Sequence, residues 1–256
     1  MFACMPAGSD RIRVIDLETG GAGVDDVCEI GWQDVRRERG GAWRVDEERG
    51  ALLVDPGRPM SPDTLAVHHI LDSHVQGAPF WKAAAPSVLR PEGGVAALAA
   101  HRAAFEQRYC RPGLTGGVGW ICTWKCALRL WPALPRFSNQ MLRYLRRPEG
   151  LVHELGLPAH RAGPDAYVTA HHLRDMLNEA SVEQLLAWSR EPGLLPRVPA
   201  GPMRGRAWSD LDDDVLRAFT SERDTDARFS AQTELRRRGR EAGTGGEEDP
   251  RQPTLL

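Results

Sequence analysis

Apolar and polar positions alternate most clearly near the start of the chain, where residues 11–21 read Arg-Ile-Arg-Val-Ile-Asp-Leu-Glu-Thr-Gly-Gly. β-branched residues recur over a short span and two glycines end it, which predicts a strand running from the interior to an exposed edge. Residues 27–32 alternate in the same way, and Gly40-Gly41 ahead of Ala51-Leu52-Leu53-Val54 predicts an antiparallel meander with a third strand. Residues 93–100 form an apolar run of strand length, and residues 116–123 predict a further strand. Helical spacing takes over at 102–109, with Phe105 inward and Glu106 near the top of the sheet, and again at 124–131, where Pro132 stops it. Ser138-Asn139 opens a helix with Met141, Leu142 and Leu145 at core spacing, and 166–177 and 181–188 are helical as well. Ser61 is placed to cap a short helix with Pro62 in its first turn. His68 and His69 follow; adjacent helical residues point about 100° apart, so packing or capping is expected rather than one shared metal.

Organisation beyond these elements is uneven. Residues 1–10 read as a flexible leader, 11–190 as one domain, 191–202 as a Pro- and Gly-rich linker, 203–240 as a small appended module, and 241–256 as a disordered tail. Two helices are expected in the module, near 213–219 and 226–238. Its arginines, Arg204, Arg206 and the run 236–240, suit either a phosphate backbone or a solvated helix end.

Composition narrows the class without naming an activity. A chain of 256 residues with 41% hydrophobic and 27% charged residues is that of a soluble globular protein. The net charge of −2 gives no global basic field, although a local arginine patch suffices to follow phosphates. Cys4, Cys28, Cys110, Cys122 and Cys126 have no paired spacing, so reduced thiols are expected rather than zinc or disulfides. No stretch approaches the ~20 apolar residues of a membrane span, and a cytoplasmic location is the expectation.

The chemistry starts with Asp16 and Glu18. Two positions apart on a strand, they point to the same side, within reach of one divalent cation. Charge on one face of a core strand is costly unless something cationic offsets it. A lone Asp-x-Glu is also what a solvated strand end looks like, so further acids are needed. Glu29, mid-strand with no acid two residues away, reads as structural. Gly163-Pro164 puts Asp165 in a helix first turn, where an ionised carboxylate is favoured, with His160 on the loop before it.

Three segments then fall into an order: Asp16-Leu17-Glu18-Thr19, Ala100-His101-Arg102-Ala103-Ala104-Phe105-Glu106, and His160-Arg161-Ala162-Gly163-Pro164-Asp165-Ala166. Together they resemble the three exonuclease motifs of the DEDDh (DnaQ-like) 3′→5′ exonucleases. Trp120-Ile121-Cys122-Thr123, Leu130-Trp131-Pro132 and Phe137-Ser138-Asn139 bring the likeness closest to that family's exodeoxyribonuclease X branch. The likeness covers residues 11–190, with a weaker continuation to 240, where residues 201–211 resemble the small appended module of that branch, which carries a Gly-Lys-x-x-Gly-Lys-like turn.

The resemblance implies an α/β fold, a ribonuclease H-like mixed five-stranded sheet flanked by helices, with a small C-terminal helical module. It implies a metal-dependent 3′→5′ exonuclease releasing 5′-mononucleotides from DNA in repair or proofreading; an exoribonuclease and a non-catalytic binding relative are the alternatives. Asp16, Glu18, Glu106 and Asp165 would hold two divalent cations, Mg²⁺ or Mn²⁺, and His160 would be the general base. Thr19, Gly20 and Gly21 would lie under the terminal nucleotide, with His101 and Arg102 also binding substrate. The partners implied are DNA 3′ ends, single- or double-stranded; with no apolar span in the sequence, no membrane partner is expected. Two positions depart from the family pattern His-Asn-Ala-x-Phe-Asp: Arg102 replaces Asn and Glu106 replaces Asp. The extra methylene of Glu106 leaves open an altered second metal site. Finally, Gln252-Pro253-Thr254-Leu255-Leu256 resembles the peptides by which bacterial replication and repair enzymes dock on the sliding clamp.

Overall fold

The computed structural model describes residues 10–244. Most of the expected leader, Cys4, and the clamp-like peptide at 252–256 lie outside the described residues. The chain divides into two compact units between Glu191 and Pro192.

Unit one is built on a five-stranded sheet: β1 (Arg11–Thr19), β2 (Val27–Arg37), β3 (Trp43–Leu53), β4 (Ala97–Ala100) and β5 (Trp120–Cys122). The order is β3-β2-β1-β4-β5. β1, β2 and β3 form the antiparallel meander, while β4 and β5 join in parallel. Nine α-helices of unit one are described: α1 (Pro62–His68), α2 (Asp72–Val75), α3 (Trp81–Leu89), α4 (Glu106–Tyr109), α5 (Pro112–Thr115), α6 (Thr123–Leu130), α7 (Asn139–Arg146), α8 (Ala162–Glu179) and α9 (Val182–Arg190). The mixed, helix-flanked sheet expected from the sequence is the one observed.

The period-two pattern of β1 assigns its faces. Ile12 and Val14 pack on α6, α8 and α9 through Ala127, Ala166, Ala170, Leu173 and Leu185. Ile15 and Leu17 pack on α3 through Trp81, Ala85 and Leu89. Fully burying each such aliphatic side chain contributes about 1.5–3 kcal/mol. Asp16 and Glu18 share parity with Ile12 and Val14, so they lie on the α8 face, at the end where the apolar packing gives way. The opposite face carries a buried charge of its own: Arg13, 2% exposed, donates through Nε and Nη2 to Asp34 at 2.7 and 3.0 Å and through Nη1 to the Val88 carbonyl.

Several element boundaries differ from expectation. β3 runs eleven residues rather than four, because polar residues occupy an edge strand whose face is largely exposed. Residues 102–105 form a turn, not a helix, since Arg102 has φ +66°; helix geometry begins at Glu106 and Phe105 is 37% exposed rather than inward. Leu145 is 40% exposed, leaving Leu142 to anchor α7. Ser61 does cap α1, accepting from the Thr64 amide, and buried His68 sits 3.7 Å from Cys28 Sγ while accepting from the Ile70 amide, a packing and capping role.

Unit two packs α10 (Asp213–Phe219) and α11 (Thr225–Thr244) around Trp208. Residues 192–202, expected as a linker, are part of this unit: Val198 is 2% exposed, Leu195 packs on the same core, and its amide donates to Ser230 Oγ at 2.9 Å. Their leucines and valine outweigh the prolines between them. Gly201 and Gly205, both at positive φ, close the expected turn, with Val198 and Arg206 hydrogen-bonded across it. α11 continues to Thr244, into the stretch expected as tail, where Arg237 pairs with Glu234 and Glu241 one turn to either side. Arg238 pairs with Glu234 and Asp213. Of the two sequence readings of this run, the self-paired helix surface fits Arg237 and Arg238.

A candidate active site at the end of β1

Asp16, Glu18, Glu106 and Asp165 all border one cleft of about 490 Å³. They come from β1, the start of α4 and the first turn of α8. Asp16, Glu18 and Asp165 each offer a carboxylate oxygen within 4.8 Å of the others. Glu106, 3% exposed, lies on the cleft wall with Oε2 buried and without a hydrogen-bond partner.

Convergence depends on the register of β2. Asp16 pairs with Gly31 and Glu18 with Glu29. A Cβ on Gly31 would meet the Ala162 carbonyl carbon at 2.1 Å, so only glycine lets the α8 N-terminus come down beside Asp16. Glu29 fastens it there: Arg161 donates through Nε and Nη2 to its carboxylate at 3.0 and 2.6 Å, and the Ala162 amide donates at 2.8 Å. Glu29 is structural, as its sequence context suggested, and it also adds to the negative field of the site.

Asp165 is held from three sides. The His160 amide donates to Oδ2 at 2.7 Å, Gln140 Nε2 to Oδ1 at 2.7 Å, and Asn139 Nδ2 to Oδ1 at 3.3 Å. Gln140 is oriented by Arg143, whose Nη1 donates to Gln140 Oε1 at 3.2 Å and to the Gly156 carbonyl at 2.7 Å. The buried Arg143 guanidinium therefore ties α7 to the loop that leads into His160, which is exposed on the cleft wall with φ +59°.

The electrostatics are those of crowded, buried acids. Burial, then Asp165, Glu106, Glu18 and Glu29, holds the Asp16 carboxyl well above the ordinary range. Burial, then Asp165 and Glu29, pushes Glu18 up to about 8 against the pull of Arg161. Burial and Glu18 push Glu106 up to about 8 against its backbone hydrogen bond. Such a set relaxes when a divalent cation enters, and hard oxygen donors suit Mg²⁺, Mn²⁺ or Ca²⁺ better than soft metals.

Of the residues expected to bind substrate, Arg102 and His101 line the cleft, whereas Thr19, Gly20 and Gly21 are not among its lining residues. Gly20 closes the strand: its amide donates to the Asp26 carbonyl and an added Cβ would meet Met60 Cγ at 2.4 Å. His101 is committed internally, with Nε2 2.8 Å from the Phe137 carbonyl and Nδ1 3.1 Å from Thr123 Oγ1. Burial lowers its pKa to about 3, so the ring stays neutral and orders the segment ahead of Asn139. Leu17, Phe105, Ser138, Asn139 and Gln140 complete the wall; Gln140 and, behind it, Arg143 are contributors not expected from the sequence.

Exodeoxyribonuclease 10 of Escherichia coli strain K12 is 37% identical over 205 residues, which span 78% of this chain and 84% of that protein. The chain belongs to the exodeoxyribonuclease X branch of the DEDDh exonuclease family. A solved exonuclease X in complex with 5′ overhanging duplex DNA aligns with 32% identity and a TM-score of 0.53, covering 70% of this chain and 99% of that one. Exonuclease I of E. coli in complex with a dA16 oligonucleotide, at 13% identity and TM-score 0.52 over 70% of this chain and 43% of that one, shares the fold with the branch. No protein-family model matches the chain. Among the described residues no helix is long and apolar enough to cross a membrane.

Proposed function

We infer that this chain hydrolyses DNA from 3′ ends to 5′-mononucleotides, using divalent cations held by Asp16, Glu18, Glu106 and Asp165. The observation carrying the reading is the close approach of three carboxylates, within 4.8 Å, beside the unpartnered Glu106 Oε2. Membership of the exodeoxyribonuclease X branch supports DNA as substrate, as does the duplex bound by the relative of known structure. A complete set of four acids argues against a decayed, purely binding role.

Asp16, Glu18 and Asp165 would hold one cation and Glu106, on the same cleft wall, would help hold a second. Bound there, Mg²⁺ or Mn²⁺ supplies charge for the phosphate and the departing 3′ oxygen and lowers the pKa of the attacking water. His160 would take the proton from that water; the hydrogen bond its backbone N–H donates to Asp165 and the Arg143-anchored loop hold it beside Asp165. Glu29 and Arg161 keep the α8 N-terminus seated while charge builds. Residues 252–256 are proposed to dock on a sliding clamp; a variant lacking them should lose clamp binding in a titration and keep nuclease activity, and unchanged binding, or none by the full chain, ends the idea.

The test of function uses DNA and RNA of one sequence, single- and double-stranded and labelled at the 3′ end. Mg²⁺-dependent mononucleotide release from DNA, stopped by chelator, is expected. Preference for RNA would move the chain to an exoribonuclease, and no release from either would end the enzyme reading.

A further inference from the structure

We propose that Arg102 is a phosphate clamp for the DNA strand upstream of the bond being cut. The inference rests on the exonuclease reading, but it concerns a group that the metal chemistry does not use. Four carboxylates line the cleft, and Arg102 is the one arginine or lysine among its lining residues. The nearby Arg161 is committed to Glu29. Arg102 is exposed and, among the described residues, makes no ion pair, so its charge is available to an incoming anion.

Its geometry is that of a prepared donor. The guanidinium lies 4.2 Å over the Trp124 ring, and Trp124 is 8% exposed in α6, so the shelf beneath it is rigid. A guanidinium held over an indole by a cation–π contact still has several N–H donors to offer, a planar fork that matches two phosphate oxygens. Arg102 also has φ +66°, a conformation in which glycine or asparagine is at ease and arginine is not. The side chain is therefore present at a backbone position that does not favour it, which argues that the guanidinium itself is what the position supplies.

The phosphate it meets belongs to the continuing strand. The scissile phosphate would lie against cations held by the four carboxylates, whereas a polynucleotide brings another phosphate with each nucleotide that precedes it. A free 5′-mononucleotide has only the first. Arg102 thereby favours a chain over a single nucleotide and offsets the repulsion between DNA and an acidic cleft.

The experiment measures binding of a fluorescent single-stranded oligonucleotide by anisotropy in Ca²⁺, across a salt series, alongside turnover in Mg²⁺. Arg102→Asn suits the left-handed backbone and keeps the fold. Its expected effects are roughly tenfold weaker oligonucleotide binding and a log–log salt slope smaller by about 0.7, the contribution of one single-strand phosphate contact. The turnover loss should fall in KM rather than kcat, and 5′-mononucleotide affinity should change less than twofold. Arg102→Lys, which keeps charge but not the planar fork of donors, should restore the salt slope and only part of the affinity. Unchanged affinity and slope in Arg102→Asn would overturn the proposal, as would equal weakening toward the mononucleotide. A wild type that binds DNA through Arg102 without cutting it would instead refute the exonuclease reading and leave this contact standing.

Discussion

Asp16 and Gly31 face each other across β1 and β2, and the missing side chain of one decides what can approach the other. A Cβ at Gly31 would meet the Ala162 carbonyl carbon at 2.1 Å, so any side chain there would displace the α8 N-terminus, which carries Asp165. Gly31→Ala should push that terminus away, cost about 1–3 kcal/mol of stability as an overpacking change, and remove most activity. Denaturant unfolding and turnover on labelled DNA check both; wild-type activity in a folded Gly31→Ala protein would mean that the acids need not meet here.

Gln140 is expected to act through Asp165. Gln140→Met removes the 2.7 Å donor to Oδ1 and keeps the side chain's volume. Partners of metal ligands typically contribute about 10–100-fold in affinity or activity. Calorimetric titration of DNA-free protein with Mn²⁺ should show weakening toward that range, and an unchanged affinity would reduce Gln140 to packing.

His160→Ala should lower turnover by about 10²–10⁴-fold, the usual contribution of a positioned general base. Its amide still reaches Asp165 Oδ2, so metal binding should persist. Near-normal turnover in this variant removes the imidazole from the mechanism.

The pH dependence of metal-free stability has a definite sign. Glu18 and Glu106, both pushed up to about 8, have folded values above their unfolded ones, so their contribution is present at low pH and is lost as pH rises toward 8. His101, His171 and His172, lowered mainly by burial to about 3, 4 and 4, work the other way: their contribution holds above about pH 6.5 and is lost on acidification. Between these limits, from about pH 6.5 to 8, the acids govern. In chelator the thermal midpoint should fall across that interval, and added Mg²⁺ should raise it most at the alkaline end. A chelated midpoint that stays flat or climbs would contradict the crowding of the acids.

Much of the site was legible because its parts obey local rules. Strand alternation put Asp16 and Glu18 on one side, and Pro164 put Asp165 in a helix first turn; both hold in the structure. What stayed hidden depends on register between distant segments. Glu29 reads as an ordinary strand acid until Arg161, more than a hundred residues later, is seen on it, and Gln140 is one polar residue of an amphipathic helix until it meets Asp165. A glycine interior to β2 was the available signal for close approach. Charge on β1 was a less specific clue than it looked, since Arg13 and Asp34 are buried as a pair on the opposite face. The turn at Arg102 and the packed segment 192–202 were misread for a related reason: a positive φ at arginine and apolar residues among prolines both run against local preference.

One time course tests the role of the acidic cleft most directly: a 5′-labelled DNA strand incubated in Mg²⁺ with the wild type and with Asp16→Asn. The prediction is a ladder shortening one nucleotide at a time from the 3′ end, absent with Asp16→Asn and absent in chelator. Immediate release of the 5′ label, internal cuts, or an undiminished ladder from Asp16→Asn would contradict it.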